Sequence, residues 1–136
     1  MTHMIDHLGI AVKSLAQARK FYEQLGLSVV SEEVVPHEKV KVAMVPVGES
    51  RIELLEPTAP DSVIAKFLEK HGEGLHHVAL YVPDLAHAVE ILKASGTRFI
   101  SEEIKIGAGG HLYVFVHPSS AGGVLLELVQ DQPSAV

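Results

Sequence analysis

The chain has 136 residues, of which 47% are hydrophobic, and its formal net charge is −6. This length fits one compact domain or two small modules that share a core. The acidic balance argues against nucleic acid as a partner, because general nucleic-acid binding needs a basic face to neutralise phosphates. The absence of cysteine excludes disulfides and thiolate ligands, so metal ligands would have to be oxygen or nitrogen atoms.

The sequence shows no targeting or membrane segment. Its first residues lack the basic region and apolar stretch of a signal peptide. No apolar stretch approaches the roughly 20 residues that are needed to span a bilayer. We therefore expect a cytoplasmic protein that does not interact with a membrane.

The first half of the chain predicts a strand, a helix and three further strands. Residues 4–12 are typical of a strand, Ser14 then begins a helix as its capping residue, and Gly26 ends it. The expected apolar stripe of this helix consists of Ala18, Phe21, Tyr22 and Leu25. The strands that follow are predicted at about 27–35, 40–47 and 51–56.

The second half repeats the pattern of the first. Residues 75–82 predict a strand, Asp84 caps a helix, and Gly96 ends it. The expected apolar stripe of this helix consists of Ala88, Ile91 and Leu92. The remaining strands are predicted at about 97–103, 111–116 and 124–129.

The repeat predicts the domain organisation. Because each half alone has room for only a small core, we expect two βαβββ modules to pack as a single α+β domain over residues 1–136. Asp61 is the expected cap of a short helix that links the modules, and residues 132–136 are expected to be a frayed tail. The predicted parts are module one at about 4–57, the linking helix at about 61–71 and module two at about 74–130.

Two histidines and two glutamates occupy matching positions of the repeat. His7 and His77 are 70 residues apart on the first strand of each half, and Glu53 and Glu127 are 74 apart on the last. Both glutamates stand in apolar runs, where an unpaired carboxylate would be costly to bury. A lone strand histidine is more often structural, and a lone glutamate at a strand end, such as Glu53, is usually a solvated edge residue. Their recurrence in both halves favours a site for a divalent cation such as cobalt, zinc, manganese, nickel or iron.

Strand alternation puts small residues beside both histidines. His7 shares its face with Gly9 and Ala11, and His77 shares its face with Ala79. We infer that these faces leave room for a ligand. A further candidate lies at Lys105, which precedes a glycine-rich loop and is either an anion contact or a solvated loop lysine. The candidate substrate-binding residues are Lys105, Gly109 and Gly110.

The chain resembles the vicinal oxygen chelate superfamily over nearly its whole length. The resemblance rests on the motifs at 5–12, 51–57, 61–68, 74–79, 103–110, 117–118 and 122–128. It implies a cupped eight-stranded mixed sheet with helices on the outside, one divalent metal ion per chain and a homodimer. The implied metal ligands are His7, Glu53, His77 and Glu127. We expect cobalt(II), with zinc, manganese, nickel or magnesium as alternatives.

Several of these motifs are specific to members that interconvert the 2R and 2S forms of methylmalonyl-CoA in propionate metabolism. The resemblance thus implies α-proton abstraction from an acyl-CoA and an enolate that the metal stabilises. Inversion needs an acid/base group on each side of the carbon. Glu127 is the first catalytic candidate. Glu53, its symmetry mate, is the second, because Val42 stands where some members have glutamate. Ser119 stands where relatives often have lysine, so a phosphate contact there is lost or moved.

Two alternative functions stay open at this point. The same scaffold could serve a glyoxalase-like isomerase or lyase, or a dioxygenase. The four-ligand set argues mildly against a dioxygenase, since iron there prefers two histidines and one carboxylate. A non-catalytic small-molecule binding protein of the same fold is the other alternative, and ligand binding that survives loss of both histidines would favour it.

Overall fold

The computed structural model describes residues 3–131, so the expected frayed tail at 132–136 lies outside the described residues. The chain divides into two compact units. The first comprises His7–His76, and the second comprises residues 77–131 together with residues 3–6. Within residues 3–131, no helix has the length and apolar character needed to cross a membrane.

Eight strands and three helices lie within the described residues. The strands are β1 (Met4–Ala11), β2 (Ser31–Val35), β3 (Val40–Val47), β4 (Ser50–Pro57), β5 (Gly74–Tyr81), β6 (Lys105–Ile106), β7 (Leu112–Val116) and β8 (Leu126–Gln130). The helices are α1 (Leu15–Gln24), α2 (Val63–His71) and α3 (Leu85–Ala94).

The sheet of the first unit has the strand order β2-β3-β4-β1. β1 runs parallel to β4, while β3 is antiparallel to both β2 and β4. Leu15 of α1 is buried in one core with Val45 and Leu54 of the sheet. Because burial of such side chains contributes about 1.5–3 kcal/mol each, this core holds β4, the strand of Glu53, in place.

The sheet of the second unit has the matching order β5-β8-β7-β6. β5 runs parallel to β8, and β7 is antiparallel to both β8 and β6. Its core joins Leu85 and Val89 of α3 to Val114 and Leu128 of the sheet. Each unit thus repeats the same βαβββ arrangement around its own core, as the sequence predicts.

The predicted starts of the two module helices are confirmed. The Ser14 side chain accepts a hydrogen bond from the backbone N–H of Gln17, and Asp84 accepts one from the backbone N–H of His87. These bonds satisfy N–H groups that have no partner within the helix. Gly26 and Gly96 follow the helices with φ values of 98° and 87°, the left-handed conformation in which glycine ends a helix.

The linking helix begins later than predicted, and its expected cap is wrong. α2 starts at Val63, and the Ser62 side chain accepts the capping hydrogen bond from the backbone N–H of Ile64 at 3.1 Å. Asp61 instead forms an ion pair with Lys39. Aspartate and serine are both good caps, so the sequence alone did not distinguish these neighbouring residues.

The predicted apolar stripes of α1 and α3 are only partly right. Phe21 and Leu25 are 62% and 66% exposed, and Ile91 is 51% exposed. The first residue of each helix, Leu15 and Leu85, is buried instead. The stripe therefore starts one turn earlier than predicted and is rotated about the helix axis away from these three residues.

Two predicted strands differ in the structure. The strand predicted at 97–103 is wrong. Phe99 in this segment makes a single bridge to Val116, and regular pairing with β7 begins only at Lys105, in β6. The strand expected at 27–35 begins at Ser31. Phe99 packs against the core of its unit, as do Leu27 and Val29 in theirs. Apolar side chains thus anchor both segments without a continuous ladder.

Candidate metal centre

The first unit brings His7 and Glu53 together. Parallel pairing of β1 with β4 places Glu53 beside Gly9, two residues after His7 on the same face. His7 Nδ1 lies 3.4 Å from Glu53 Oε2. The two residues are only 3% and 5% exposed, so this carboxylate lies in the interior, as the apolar run around it predicts.

Arg51 also contacts Glu53. The Arg51 Nε–H donates a hydrogen bond of 2.9 Å to Glu53 Oε2, the oxygen that faces His7. Arg51 is the Cα partner of His7 in the β1–β4 ladder. The guanidinium thus balances the charge of a buried carboxylate and holds one of its oxygens.

The second unit brings His77 and Glu127 together in the same way. Parallel pairing of β5 with β8 places Glu127 beside Ala79, again two residues after the histidine. His77 Nε2 lies 3.0 Å from Glu127 Oε1, and the residues are 6% and 8% exposed. Each unit therefore contains one buried imidazole–carboxylate pair at matching strand positions.

An aromatic side chain also flanks the histidine of the second unit. Ala79 lies beside Glu127 as expected, but the Phe115 ring packs edge-to-face on His77 with a centroid distance of 5.3 Å. Phe115 in turn packs on Tyr113, with a centroid distance of 5.7 Å. The His77 ring is therefore supported by an aromatic side chain of the neighbouring hairpin.

The spacing within each pair fits two ligands of one cation. Zinc-type ions bind histidine nitrogen and carboxylate oxygen at about 2.0–2.2 Å. Two such ligands that subtend about 90–109° at the ion lie about 3.0–3.4 Å apart. The observed separations are 3.4 Å in the His7–Glu53 pair and 3.0 Å in the His77–Glu127 pair. Imidazole nitrogen and carboxylate oxygen are also the donor types that divalent transition metals take. Both pairs therefore fit a divalent cation.

The candidate substrate-binding residues lie on other elements than these pairs. Lys105 is in β6, opposite Tyr113 of β7, and Gly109 and Gly110 lie in the turn that follows. His77 and Glu127 lie on β5 and β8 of the same unit.

Sequence reasoning missed Arg51 and Phe115. Strand alternation was the signal that could have found Arg51, because residues two apart on a strand share a face and Glu53 follows Arg51 by two. Phe115 could have been found from the β7–β8 hairpin, in which it lies opposite Glu127.

Comparison with known proteins gives the family of the chain. The family model of the glyoxalase/bleomycin resistance protein/dioxygenase superfamily matches residues 6–115. The mitochondrial methylmalonyl-CoA epimerase of Bos taurus is 44% identical over 128 residues, which cover 93% of this chain and 73% of that protein. This degree of identity over most of both chains indicates one family.

Solved structures agree with the sequence relatives. The methylmalonyl-CoA epimerase of Mycobacterium tuberculosis is 38% identical with a TM-score of 0.90, and the match covers 95% of this chain and 88% of that one. A methylmalonyl-CoA epimerase in complex with methylmalonyl-CoA and NH4+ is 36% identical with a TM-score of 0.91, and the match covers 96% of each chain. The predicted fold class, α+β with paired βαβββ modules and eight strands of mixed orientation, is thereby confirmed. The chain belongs to the glyoxalase/bleomycin resistance protein/dioxygenase superfamily and, within it, to the methylmalonyl-CoA epimerase family.

Proposed function

We propose that this protein is an isomerase that interconverts the 2R and 2S forms of methylmalonyl-CoA by moving the α-proton. The observation that carries the proposal is the pair of buried imidazole–carboxylate contacts at matching positions of the two units. The family supports the substrate, because its named relatives are methylmalonyl-CoA epimerases and one solved member binds methylmalonyl-CoA.

The cofactor is one divalent metal ion per chain, held by both pairs in a single domain formed by the two modules. Its ligands are His7, Glu53, His77 and Glu127. Cobalt(II) is the first choice, and zinc, manganese, nickel or magnesium are the alternatives, since mixed nitrogen and oxygen ligands do not select one metal by affinity alone. When bound, the ion supplies Lewis-acid stabilisation of the negative charge that develops as the α-proton leaves.

The proton itself is moved by the glutamates of the site. The α-carbon of methylmalonyl-CoA lies between a carboxylate and a thioester carbonyl, both of which acidify its proton. Glu127 is the first acid/base: as a carboxylate it accepts this proton on one face of the carbon. Glu53 is the second: in its protonated form it donates a proton to the opposite face. Each turnover leaves Glu127 protonated and Glu53 ionised, and proton exchange of both groups with solvent restores the starting state.

The remaining parts of the proposal concern the acyl-CoA and the assembly. Lys105 offers a cation to the anionic CoA moiety, and Gly109 and Gly110 let the backbone approach it closely. The family resemblance supports a homodimer, which the molar mass in solution would test. A cytoplasmic location and a role in propionate metabolism accord with the proposed substrate.

A proton-exchange assay tests the function. The purified protein is incubated with methylmalonyl-CoA in heavy water, with and without a chelator, and deuterium at the α-carbon is followed by mass spectrometry. We expect exchange that the chelator stops and that added cobalt restores. No metal-dependent exchange would exclude the epimerase. Activity toward a glutathione adduct in place of this exchange would favour a glyoxalase-like isomerase or lyase of the same fold.

A further inference from the structure

We propose that Arg51 is a positioning residue, which holds Glu53 Oε2 and so orients the Glu53 carboxylate toward the cation. This inference rests on the metal site proposed above and adds a residue of this chain to it. Arg51 acts on the cation through its contact with the Glu53 carboxylate.

The contact between Arg51 and Glu53 is an interior one. The side chains are 19% and 7% exposed, and the hydrogen bond from Arg51 Nε is 2.9 Å long. Exposed ion pairs are mobile and contribute little, whereas a buried carboxylate without its cationic partner is costly. The Arg51 guanidinium is planar, and its N–H groups donate in fixed directions. The contact therefore restricts the orientation of the carboxylate, in addition to balancing its charge.

Both contacts of the pair fall on the same oxygen. Glu53 Oε2 accepts the hydrogen bond from Arg51 and lies 3.4 Å from His7 Nδ1. The Arg51 hydrogen bond therefore holds the oxygen that faces His7 and restricts how the carboxylate can turn.

The backbone enforces this arrangement. Arg51 and Glu53 are two apart on β4, so their side chains leave the same face of the strand. Arg51 is also the Cα partner of His7 on β1. Two adjacent strands therefore set the positions of all three residues, and no loop movement is needed to form the contact.

Arg51 is an addition to the repeated ligand pattern. The offset of 74 that relates Glu53 to Glu127 relates Arg51 to Leu125. The matching position of the second unit thus carries an apolar side chain. Arg51 is consequently not explained by the duplication that placed the histidines and glutamates, which points to a separate role beside Glu53.

Titration calorimetry of the metal-free full-length protein with cobalt chloride tests the inference without use of activity. Loss of a residue that orients a metal ligand costs about 10–100-fold in metal affinity, and we expect a loss of this size for Arg51→Met. The matched control is Arg98→Met, which removes an exposed arginine and should leave the affinity unchanged. The visible absorption of bound Co²⁺ should change in band position or intensity for Arg51→Met only.

Arg51→Lys separates orientation from charge. Lysine keeps the charge but lacks the planar fork, so we expect it to restore only part of the affinity. Complete restoration would overturn the positioning role. Should Arg51→Met fail to fold by circular dichroism, Arg51→Gln takes its place with the same expectation.

A double substitution tests whether Arg51 acts through Glu53. In a Glu53→Ala background, the added Arg51→Met change should lower the affinity less than about threefold, because the side chain that Arg51 holds is already absent. A full 10–100-fold loss in that background would overturn the inference. Equal affinity of wild type and Arg51→Met overturns this inference alone, whereas absence of cobalt binding by the wild type overturns the proposed metal site as well.

Discussion

Phe115 is the Cα partner of Glu127 across the β7–β8 ladder, and its ring packs edge-to-face on His77. One aromatic side chain therefore lies next to both members of the second imidazole–carboxylate pair. In the first unit, Glu53 is held by the charged side chain of Arg51. The two units thus share the pair but support it by different physical means, an aromatic contact in one and an ion pair in the other.

The aromatic contact predicts the effect of Phe115→Leu. Aromatic pairs contribute about 0.5–1.5 kcal/mol beyond the area they bury, so we expect a loss of that order in the free energy of unfolding. Cobalt affinity should also fall, because His77 loses the ring that restricts its orientation. Urea unfolding and calorimetry measure the two effects. Phe21→Leu, at a residue that is 62% exposed, should leave cobalt affinity unchanged. An equal loss of cobalt affinity in the two variants would contradict the role of Phe115.

Substitution of Glu127 separates chemistry from folding. Glu127→Gln keeps the size of the side chain but removes the basic oxygen, so we expect α-proton exchange to fall at least about 100-fold at saturating cobalt. Far-UV circular dichroism should show that the protein remains folded. Glu90→Gln, at an exposed position of α3, is the matched control and should exchange normally. Unchanged exchange by Glu127→Gln would refute the assigned role.

Substitution by alanine should change the stability in opposite directions at two glycines, Gly107 and Gly74. A Cβ atom at Gly107 would lie 3.1 Å from two carbons of the Tyr113 ring, which is itself only 5% exposed. Gly107→Ala should therefore cost about 1–3 kcal/mol in stability, since the ring has little room to move. Gly74→Ala meets open space and should be neutral or stabilise by about 0.4–1 kcal/mol. Urea unfolding measures the stability of both variants, and an equal change in the free energy of unfolding would contradict the packing of Gly107 on Tyr113.

The ion pair of Asp61 with Lys39 predicts a pH dependence of stability. The hydrogen bond from Lys39 lowers the pKa of Asp61 below its ordinary value of 3.8. The folded state thus favours the ionised carboxylate, so this contribution is complete above the ordinary pKa and disappears as the pH falls through the lowered one. Asp61→Asn should therefore lower the melting temperature slightly at neutral pH and not at about pH 2.

Salt provides the control for this pH effect. Both side chains of the Lys39–Asp61 pair are exposed, so added salt should reduce the difference between Asp61→Asn and wild type at neutral pH. A difference that persisted at low pH and in high salt would show that Asp61 stabilises the fold by other means.

Local signals explain what the sequence could predict. Ser14 and Asp84 each stand before an apolar helix and have only short-range partners, so their capping role is readable from neighbouring residues. The buried glutamates were predictable for a similar reason, because their apolar neighbours leave an ionised group without water. The repeat added the correspondence between the halves.

The remaining errors involve partners that are distant in sequence. Asp61 was engaged by Lys39, 22 residues away, and Ser62 capped the helix instead. Phe99 packs into a core without a ladder on either side, which alternation of apolar residues does not distinguish from a strand. The hydrogen bond from Arg51 to Glu53 depends on the directions that the two side chains take once the sheet has formed. These features follow from tertiary packing, and only the shared strand face of Arg51 and Glu53 has a local signature.

Each unit supplies one imidazole and one carboxylate from its own first and last strands, above a core of its own. A single copy of the module thus carries one such pair, and the two copies within one chain need not remain identical. Arg51 and Leu125, which stand 74 residues apart at matching positions, are one place where the two copies differ, in a way that identical chains could not.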